Sequence, residues 1–533
     1  MKMIAEIDKI ETTGSGQVGS DSVSVKDWVV VMTVCLGAFM AVLDIQITNS
    51  SLAEIQGSLG ATIDEGSWIS TAYLITEIIV IPLTAWLASV FGFKLYLLAS
   101  SAVFVVLSCC CATAQDLNSM IFYRAVQGFS GGALIPLAMD LILRKLPLSK
   151  QSIGMAMFGL SATFAPAIGP SLGGYLTDNF GWPFIFYLNI VPGLLLIIVL
   201  AITLESSKSH LSELKKGDWF GILFMSIGLG CLETFLEEGN RKDWFGSQFI
   251  VTFAVISLIS LTLWLVIEFT VKNPVIDLRL FGKRNFLFAG IANLAVGAGL
   301  YGPGYILPVY LSQIQGYNAL QIGIVMMWFG LPQLVMMPLV PLLMKKVDGR
   351  ILIFTGLTLF VASFWMSSFL SFDFGGSQFV LPLIVRALGL PLIFVPLSGV
   401  ATDGIETPRI GSASALYNMT RNLGGSFGIA LIGTFLTQRE KFHSQYIGES
   451  VSLFANATQE RISDLVITLT GKGMEQGVAE QQAVALIDNT IRRESNIMAF
   501  SDCFLLFASV LTVGCLAVVF LKKSSGEAAH GMH

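Results

Sequence analysis

Three ionisable residues lie inside otherwise apolar stretches. Asp44 sits in MAVLDIQITNS, Glu77 in AYLITEIIVIPL and Arg124 in YRAVQGFSGG. An ionised side chain at membrane depth costs about 2.5–3.5 kcal/mol even on lenient insertion scales, so it marks an ion or substrate pathway by default. A carboxyl group with a guanidinium near it can load and release a proton during a cycle. If their helices pack around one cavity, Asp44, Glu77 and Arg124 form a proton-coupling network. The alternative is a static Asp44–Arg124 ion pair that only fixes helix packing.

Other chemistries lack their residues. No G-x-x-x-x-G-K-[ST] stretch is present to cradle a nucleotide phosphate, and Gly14-Ser15-Gly16 has no lysine behind it. The four histidines, at 210, 443, 530 and 533, fall in loops or tails. All seven cysteines fall in apolar segments without metal-ligand spacing and read as small buried hydrophobes. The expectation is therefore no enzyme, no metal and no cofactor. No basic run points to nucleic acid.

The elements that position these residues are membrane spans. Of 533 residues, 54% are hydrophobic and only 13% charged, with a net charge of −5. Soluble proteins average roughly 25% charged residues. About 20 apolar residues make one span, and fourteen such segments can be drawn. They lie near 28–50, 68–90, 95–114, 119–142, 152–176, 184–204, 218–237, 248–270, 286–313, 321–343, 351–371, 379–402, 411–437 and 500–521. Most of the 31 Lys and Arg fall on one side of this plan, which the positive-inside rule makes cytoplasmic. An even number of spans leaves both termini there. The polar first 27 residues do not read as a cleaved signal.

The chain repeats itself. RAVQGFSGGALIPLA begins at Arg124 and RALGLPLIFVPLSG at Arg386. Each is followed by a polar turn, an Ile-Gly helix start (Ile153-Gly154, Ile410-Gly411) and a glycine pair (Gly173-Gly174, Gly424-Gly425). Two like halves around a central site are a transporter plan. The expected fold is all-α and polytopic. It has a tail over 1–27, a six-helix half over 28–204, two extra helices over 205–285, a second half over 286–437 and 500–521, and a tail over 522–533. An outer loop fills 438–499. In it, Ile462, Leu465, Val466 and Leu469 form one amphipathic stripe and Val484, Ile487 and Ile491 another, with Gly471, Gly473 and Gly477 between them. That pattern predicts a small helical hairpin, either a solvated insert or a docking surface.

Further site residues follow from position. Pro166, Gly169, Pro170, Gly173 and Gly174 crowd one span, where prolines bend helices and glycines let backbones approach; they read as a conformational hinge. Arg421 and Asn418 in YNMTRNLGGS, Gln333 and Met327 on one methionine-rich span, and Asn293 and Tyr301 on another, are the expected lining of a substrate cavity. Arg386 begins its repeat in the outer leaflet, from which it could snorkel outward. Glu233, Glu237 and Glu238, at the outer end of an extra span, read mainly as an interface feature. Asp502, at the mouth of the last span, reads as equally bland.

Taken together, these stretches resemble the major facilitator superfamily, in its fourteen-span drug:proton antiporter branch of EmrB and QacA type. LDIQITNSSL at 43–52 is similar to that branch's first-span motif, RAVQGFSGG at 124–132 to its basic fourth-span motif, and APAIGPSLGG at 165–174 to its antiporter motif. The resemblance implies two six-helix halves plus two extra helices, proton transfer at Arg124, and export rather than import. It also implies a bacterial inner membrane and the company of a periplasmic adaptor and an outer-membrane channel. One motif departs: AWLASVFGFK at 85–94 has Ala85, Ser89 and Val90 where the superfamily's loop has Gly, Asp and Arg. The first half thus lacks the usual charge latch, and Lys345, Lys346, Asp348 and Arg350 are the expected substitutes. The expected function is proton-coupled export of amphipathic drugs. Its rivals are export of an endogenous metabolite such as a siderophore or fatty acid, and a non-transporting receptor or scaffold.

Overall fold

In lipid every backbone polar group must be paired within the chain, which leaves helices as the natural solution for apolar segments of this length. The computed structural model describes residues 23–205, 209–271, 274, 276–406, 409–452 and 455–523, and no strand occurs among them. Most of both expected tails, including Gly14-Ser15-Gly16, His530 and His533, lies outside the described residues.

The longer helices are α1 (Val25–Ser50), α2 (Trp68–Phe91), α3 (Phe93–Ala112), α4 (Leu117–Lys145), α5 (Leu148–Phe180) and α6 (Ile190–Thr203), the last continuing a short helix, Pro183–Tyr187, to complete its span. Then come α7 (Trp219–Gly239), α8 (Gln248–Thr270), α9 (Arg284–Gln313), α10 (Ala319–Leu343), α11 (Gly349–Ser367), α12 (Gly376–Thr402), α13 (Ile410–Ser450), α14 (Asn456–Gly471) and α15 (Gln476–Val519). Starts carry the expected caps. Ser24 caps α1, Asp116 accepts from the Ser119 N–H at 2.9 Å at the head of α4, and Asn318 forms a capping box with Gln321 on α10. Those bonds to Ser119 hold the Asp116 carboxyl below its usual range.

Among the described residues, thirteen helical segments are long and apolar enough to cross a membrane. The fourteenth span is α13. Its central stretch carries Asn418, Arg421, Asn422 and several glycines and serines, which dilute its hydropathy. It is nonetheless a central helix, packed on α9 and α15 of its own half and on α2 of the other. Helices α1–α6 form one half, and α9–α13 with α15 the other. The extra helix α7 lies against α2 and α13, one helix from each half, and α8 packs on the far side of α7. Ser257 of α8 donates to the Gly228 carbonyl of α7 at 2.9 Å.

The insert over 438–499 holds the expected helical hairpin, but its flanks are continuous with the adjoining spans. Residues 438–450 contain good helix formers and no proline, so α13 runs unbroken to Ser450. In the same way α15 begins at Gln476 and continues into the last span. The two apolar stripes are there, one on α14 and one on the outer part of α15, separated by a turn in which Gly473 adopts φ +91°. Gly477, expected to break the helix, lies inside α15. Asp502 of α15 accepts from Arg439 Nε at 2.6 Å and contacts His443 Nε2 at 2.7 Å, which fastens the two long helices where they leave the bundle.

Candidate functional site

The two long helices α1 and α4 carry the first part of the site. Asp44 and Arg124 are 3% and 1% exposed, so neither reaches solvent. Arg124 Nη1 donates to Asp44 Oδ2 at 2.5 Å and to Gln127 Oε1 at 2.7 Å, while its Nε donates to the Ile69 carbonyl at 3.3 Å. The other carboxylate oxygen, Oδ1, accepts from Asn189 at 2.7 Å and from Gln127 at 3.2 Å. Ser108 in turn accepts from Gln127 at 2.8 Å. The guanidinium sits 4.3 Å from the Tyr73 ring centroid. A buried ion pair recovers its desolvation cost only when its remaining donors and acceptors are also paired, and here four helices and the turn before α6 supply the partners.

Glu77 occupies a different setting. It lies one turn beyond Tyr73 on α2 and lines a cavity of about 390 Å³ between the halves. Its Oε1 accepts from Asn422 Nδ2 of α13 at 3.3 Å. On its other side α2 packs closely on α4: a Cβ on Gly132 would lie 2.8 Å from Glu77 Cγ. Asp44 and Arg124 do not line this cavity. The three residues expected to share one chamber therefore form two adjoining parts: a sealed ion pair inside the first half, and a carboxylate at the boundary. Tyr73, buried over Arg124, stands between them.

The expected hinge residues all lie on α5. Pro166 and Pro170 line the cavity. Gly169 and Gly173 bring α5 against α1, since a Cβ there would lie 2.5 Å from Gln46 Cβ and 2.2 Å from Ser50 Oγ. Gly174 is buried beside them.

The expected cavity residues of the second half divide. Tyr301 lines the cavity. Arg421 is 1% exposed, donates Nη2 to Asn418 Oδ1 at 2.9 Å and lies 5.4 Å from the Phe394 ring, with Nε and Nη1 unpartnered among the described residues. It stands beside Asn422, not on the wall itself. Asn418 also donates to the Ser414 carbonyl at 2.8 Å. Asn293 is committed to the Tyr417 carbonyl at 2.7 Å and Thr420 at 3.1 Å, tying α9 to α13. Gln333 accepts from the Thr163 hydroxyl and donates to the Phe329 carbonyl at 2.6 Å, bridging α10 to α5. Met327 is 41% exposed on the outside of α10, where a thioether meets lipid. Arg386 does not snorkel: it is buried between Phe329 and Phe364, with ring distances of 4.9 and 5.1 Å.

The substitutes proposed for the missing latch are partly accounted for. Asp348 caps α11 and pairs with Arg350 two residues on, at 2.7 Å, which holds its carboxyl below the usual range. That bond stays within one turn and joins no two halves. In the first half, Lys94 donates to the Ala201 and Leu204 carbonyls at 2.7 and 2.6 Å and so caps the end of α6.

Sequence reasoning missed the partners of the ion pair, Gln127 and Asn189, and it missed Asn422. It also placed Glu233, Glu237 and Glu238 at an interface, whereas all three line the cavity. The i,i+4 spacing of Glu233 and Glu237 was the available signal that they share a helix face.

A largely apolar cavity set with a few carboxylates, between two six-helix bodies and with spans on every side, defines a multi-pass membrane transporter. The family model described as Major Facilitator Superfamily matches residues 34–429. The chain belongs to that superfamily. It is 33% identical over 497 residues to the colistin resistance protein EmrB of Acinetobacter baumannii, covering 93% of this chain and 96% of the relative. It is 32% identical to the multidrug export protein EmrB of Escherichia coli, covering 94% and 97%. Against the fatty acid resistance protein FarB of Neisseria gonorrhoeae it is 29% identical, covering 95% and 97%. Among solved structures, the human organic anion transporter MFSD10 shares the fold. The TM-score is 0.57 at 12% identity, over 92% of this chain and 99% of that one.

Proposed function

We propose that this protein is a proton-driven exporter of amphipathic small molecules working by alternating access. The observation that carries this reading is the sealed Asp44–Arg124 pair adjoining a cavity-lining carboxylate, Glu77, that is bonded across the halves to Asn422. Protonation of Glu77 would weaken that bond and loosen one half from the other. Substrate and proton then compete for the same boundary, and Asp44 and Arg124 set the charge behind it. Each elementary charge crossing the membrane contributes about 2.3 kcal/mol per 100 mV, enough to drive a substantial concentration gradient.

With both termini cytoplasmic in a bacterial inner membrane, the cavity lies in the outer half of the bilayer. On the inner side the halves meet where Gly411 approaches Arg144 and where Asn418 contacts Met139. The unbroken outer parts of α13 and α15, with α14, would present a rigid surface to a periplasmic adaptor and, through it, an outer-membrane channel. Residues 28–204 and the second half would be the moving bodies, with the hinge at Pro166–Gly174. The test is purified protein in proteoliposomes loaded with a pH-sensitive dye. Drug addition should release protons in the wild type and in proportion to drug moved. Drug movement with no proton movement at any pH gradient would overturn the reading.

A further inference from the structure

The helix α7, one of two that a twelve-helix transporter would not have, carries Glu233 and Glu237 one turn apart, and both line the cavity. Two carboxyl groups buried one turn apart are costly as a pair of anions unless a cation lies against them. Glu233 is 2% exposed. One of its oxygens accepts from the Ser426 hydroxyl of α13 at 2.7 Å; the other, Oε2, has no hydrogen-bond partner among the described residues. Glu237 makes no hydrogen bond or ion pair among them. Glu238 contrasts with both: Thr71 donates to it at 3.0 Å and Arg241 lies 3.5 Å away.

The charge balance around the cavity is one-sided. Glu77, Glu233, Glu237 and Glu238 face it, and Arg241, already engaged by Glu238, is the one Lys or Arg lining it among the described residues. Arg421, set behind the wall, is the other cation near it, at the end formed by Glu77 and Tyr301, so the acidic excess is concentrated at Glu233, Glu237 and Glu238. An anion meets repulsion at that end. A cation meets an unfilled carboxylate oxygen on Glu233 and the rings of Tyr301 and Tyr305, which also line the cavity. Aromatic faces attract ammonium and phosphonium centres, and apolar walls such as Leu74 and Ile78 suit a hydrophobic body.

The geometry points to Glu233 and Glu237 of α7 as the cation-binding end of the cavity, which makes a lipophilic organic cation the ligand class and α7 a specificity-determining helix. This rests on the cavity being the transport pathway proposed above. Glu233 takes the positive centre, Glu237 stabilises it from one turn away, and the apolar body lies toward Tyr301.

The test compares two probes of the same shape and opposite charge, tetraphenylphosphonium and tetraphenylborate, by calorimetry on the full chain in lipid nanodiscs. Wild type should bind the phosphonium and not the borate. Glu233→Gln, which keeps the Ser426 bond, should weaken phosphonium binding about tenfold or more, the loss of one charged contact. Glu237→Gln should weaken it less, and Glu233→Asp, which keeps the charge, should retain most of it. Monodisperse elution and an unchanged melting temperature establish that each variant is folded. Equal binding of both probes by the wild type, no phosphonium binding, or unchanged binding by folded Glu233→Gln would overturn the inference. The measurement needs no gradient, so it reads α7 even where proton coupling fails. Conversely, Glu233→Gln that still exports an uncharged drug against released protons would leave the transport proposal standing.

Discussion

Asn422 of α13 reaches Glu77 of α2 across the boundary between the halves, Nδ2 to Oε1 at 3.3 Å. A neutral amide thus touches the carboxylate that faces the cavity, and the bond exists only while that oxygen accepts. Glu77→Gln can keep a side-chain bond to Asn422 but cannot carry a proton. It should lower drug-driven proton release by about tenfold or more while leaving drug exchange without a gradient near wild type, as expected for loss of a general proton carrier. Counterflow and dye-based proton release in the same vesicles separate the two. Proton release at the wild-type rate would remove Glu77 from the coupling step.

The Asp44–Arg124 pair makes a different prediction because it is sealed. Removing one partner of a buried pair typically costs about 3–5 kcal/mol, since the other charge is stranded. Arg124→Ala should therefore unfold easily, seen as poor recovery from detergent and a large drop in melting temperature. Asp44→Asn keeps an acceptor oxygen for Arg124, so it should lose less stability than Arg124→Ala although the guanidinium charge is left unpaired, and it cannot be protonated and deprotonated. It should abolish proton-coupled export. Retained drug-dependent proton release by folded Asp44→Asn would reduce the pair to a static brace.

Glycine packing gives a third prediction, about stability. A Cβ on Gly424 of α13 would lie 2.1 Å from the Leu294 carbonyl oxygen of α9, and backbone cannot swing aside as a side chain can. Gly424→Ala should force α9 and α13 apart and cost about 1–3 kcal/mol, the range for overpacking. Gly399, on α12, has nothing within 4 Å of its Cβ position, so Gly399→Ala should be neutral or slightly stabilising through the unfolded chain. Thermal melts of the two variants side by side test this; equal melts would mean that the α9–α13 approach is looser than its geometry.

The pattern of what could be read in the chain follows from physics. Spans were legible because lipid demands long apolar helices, and Asp44 with Arg124 because charge in oil has few places to hide. Facing was harder to read. A helix that is apolar nearly all round carries no clear stripe to say which side meets lipid, so Met327 and Tyr301 looked alike although one is outside and the other lines the cavity. Polar residues misled for a related reason: Asn293 and Gln333 spend their bonds on backbone carbonyls and a neighbouring helix, which no local pattern reveals. Glu233 and Glu237 were misread because nothing in their own segment tells that α7 sits against both halves. The continuity of α13 and α15 past the membrane was also hidden, since hydropathy ends where the lipid ends while helix propensity does not.

That continuity supports the last prediction. Arg439 and His443 on α13 converge on Asp502 of α15, at 2.6 and 2.7 Å, at the point where both helices pass beyond the apolar bundle. The parts of α13 and α15 beyond the apolar bundle are thereby held as stiff extensions of two spans, with α14 packed on α15. A surface of that kind can dock a partner and transmit helix motion to it, whereas a solvated insert needs no such clamp. Replacing residues 452–475 with a short flexible linker removes α14 and leaves the spans and the clamp in place. In proteoliposomes this variant should transport at the wild-type rate, because no cavity residue is lost. In cells it should lose most drug resistance if an adaptor docks there. Asp502→Ala should act in the same direction but less strongly, with faster hydrogen exchange over 439–450. Full resistance in cells carrying the α14 replacement would show that the extension is a passive cap and that export ends at the inner membrane.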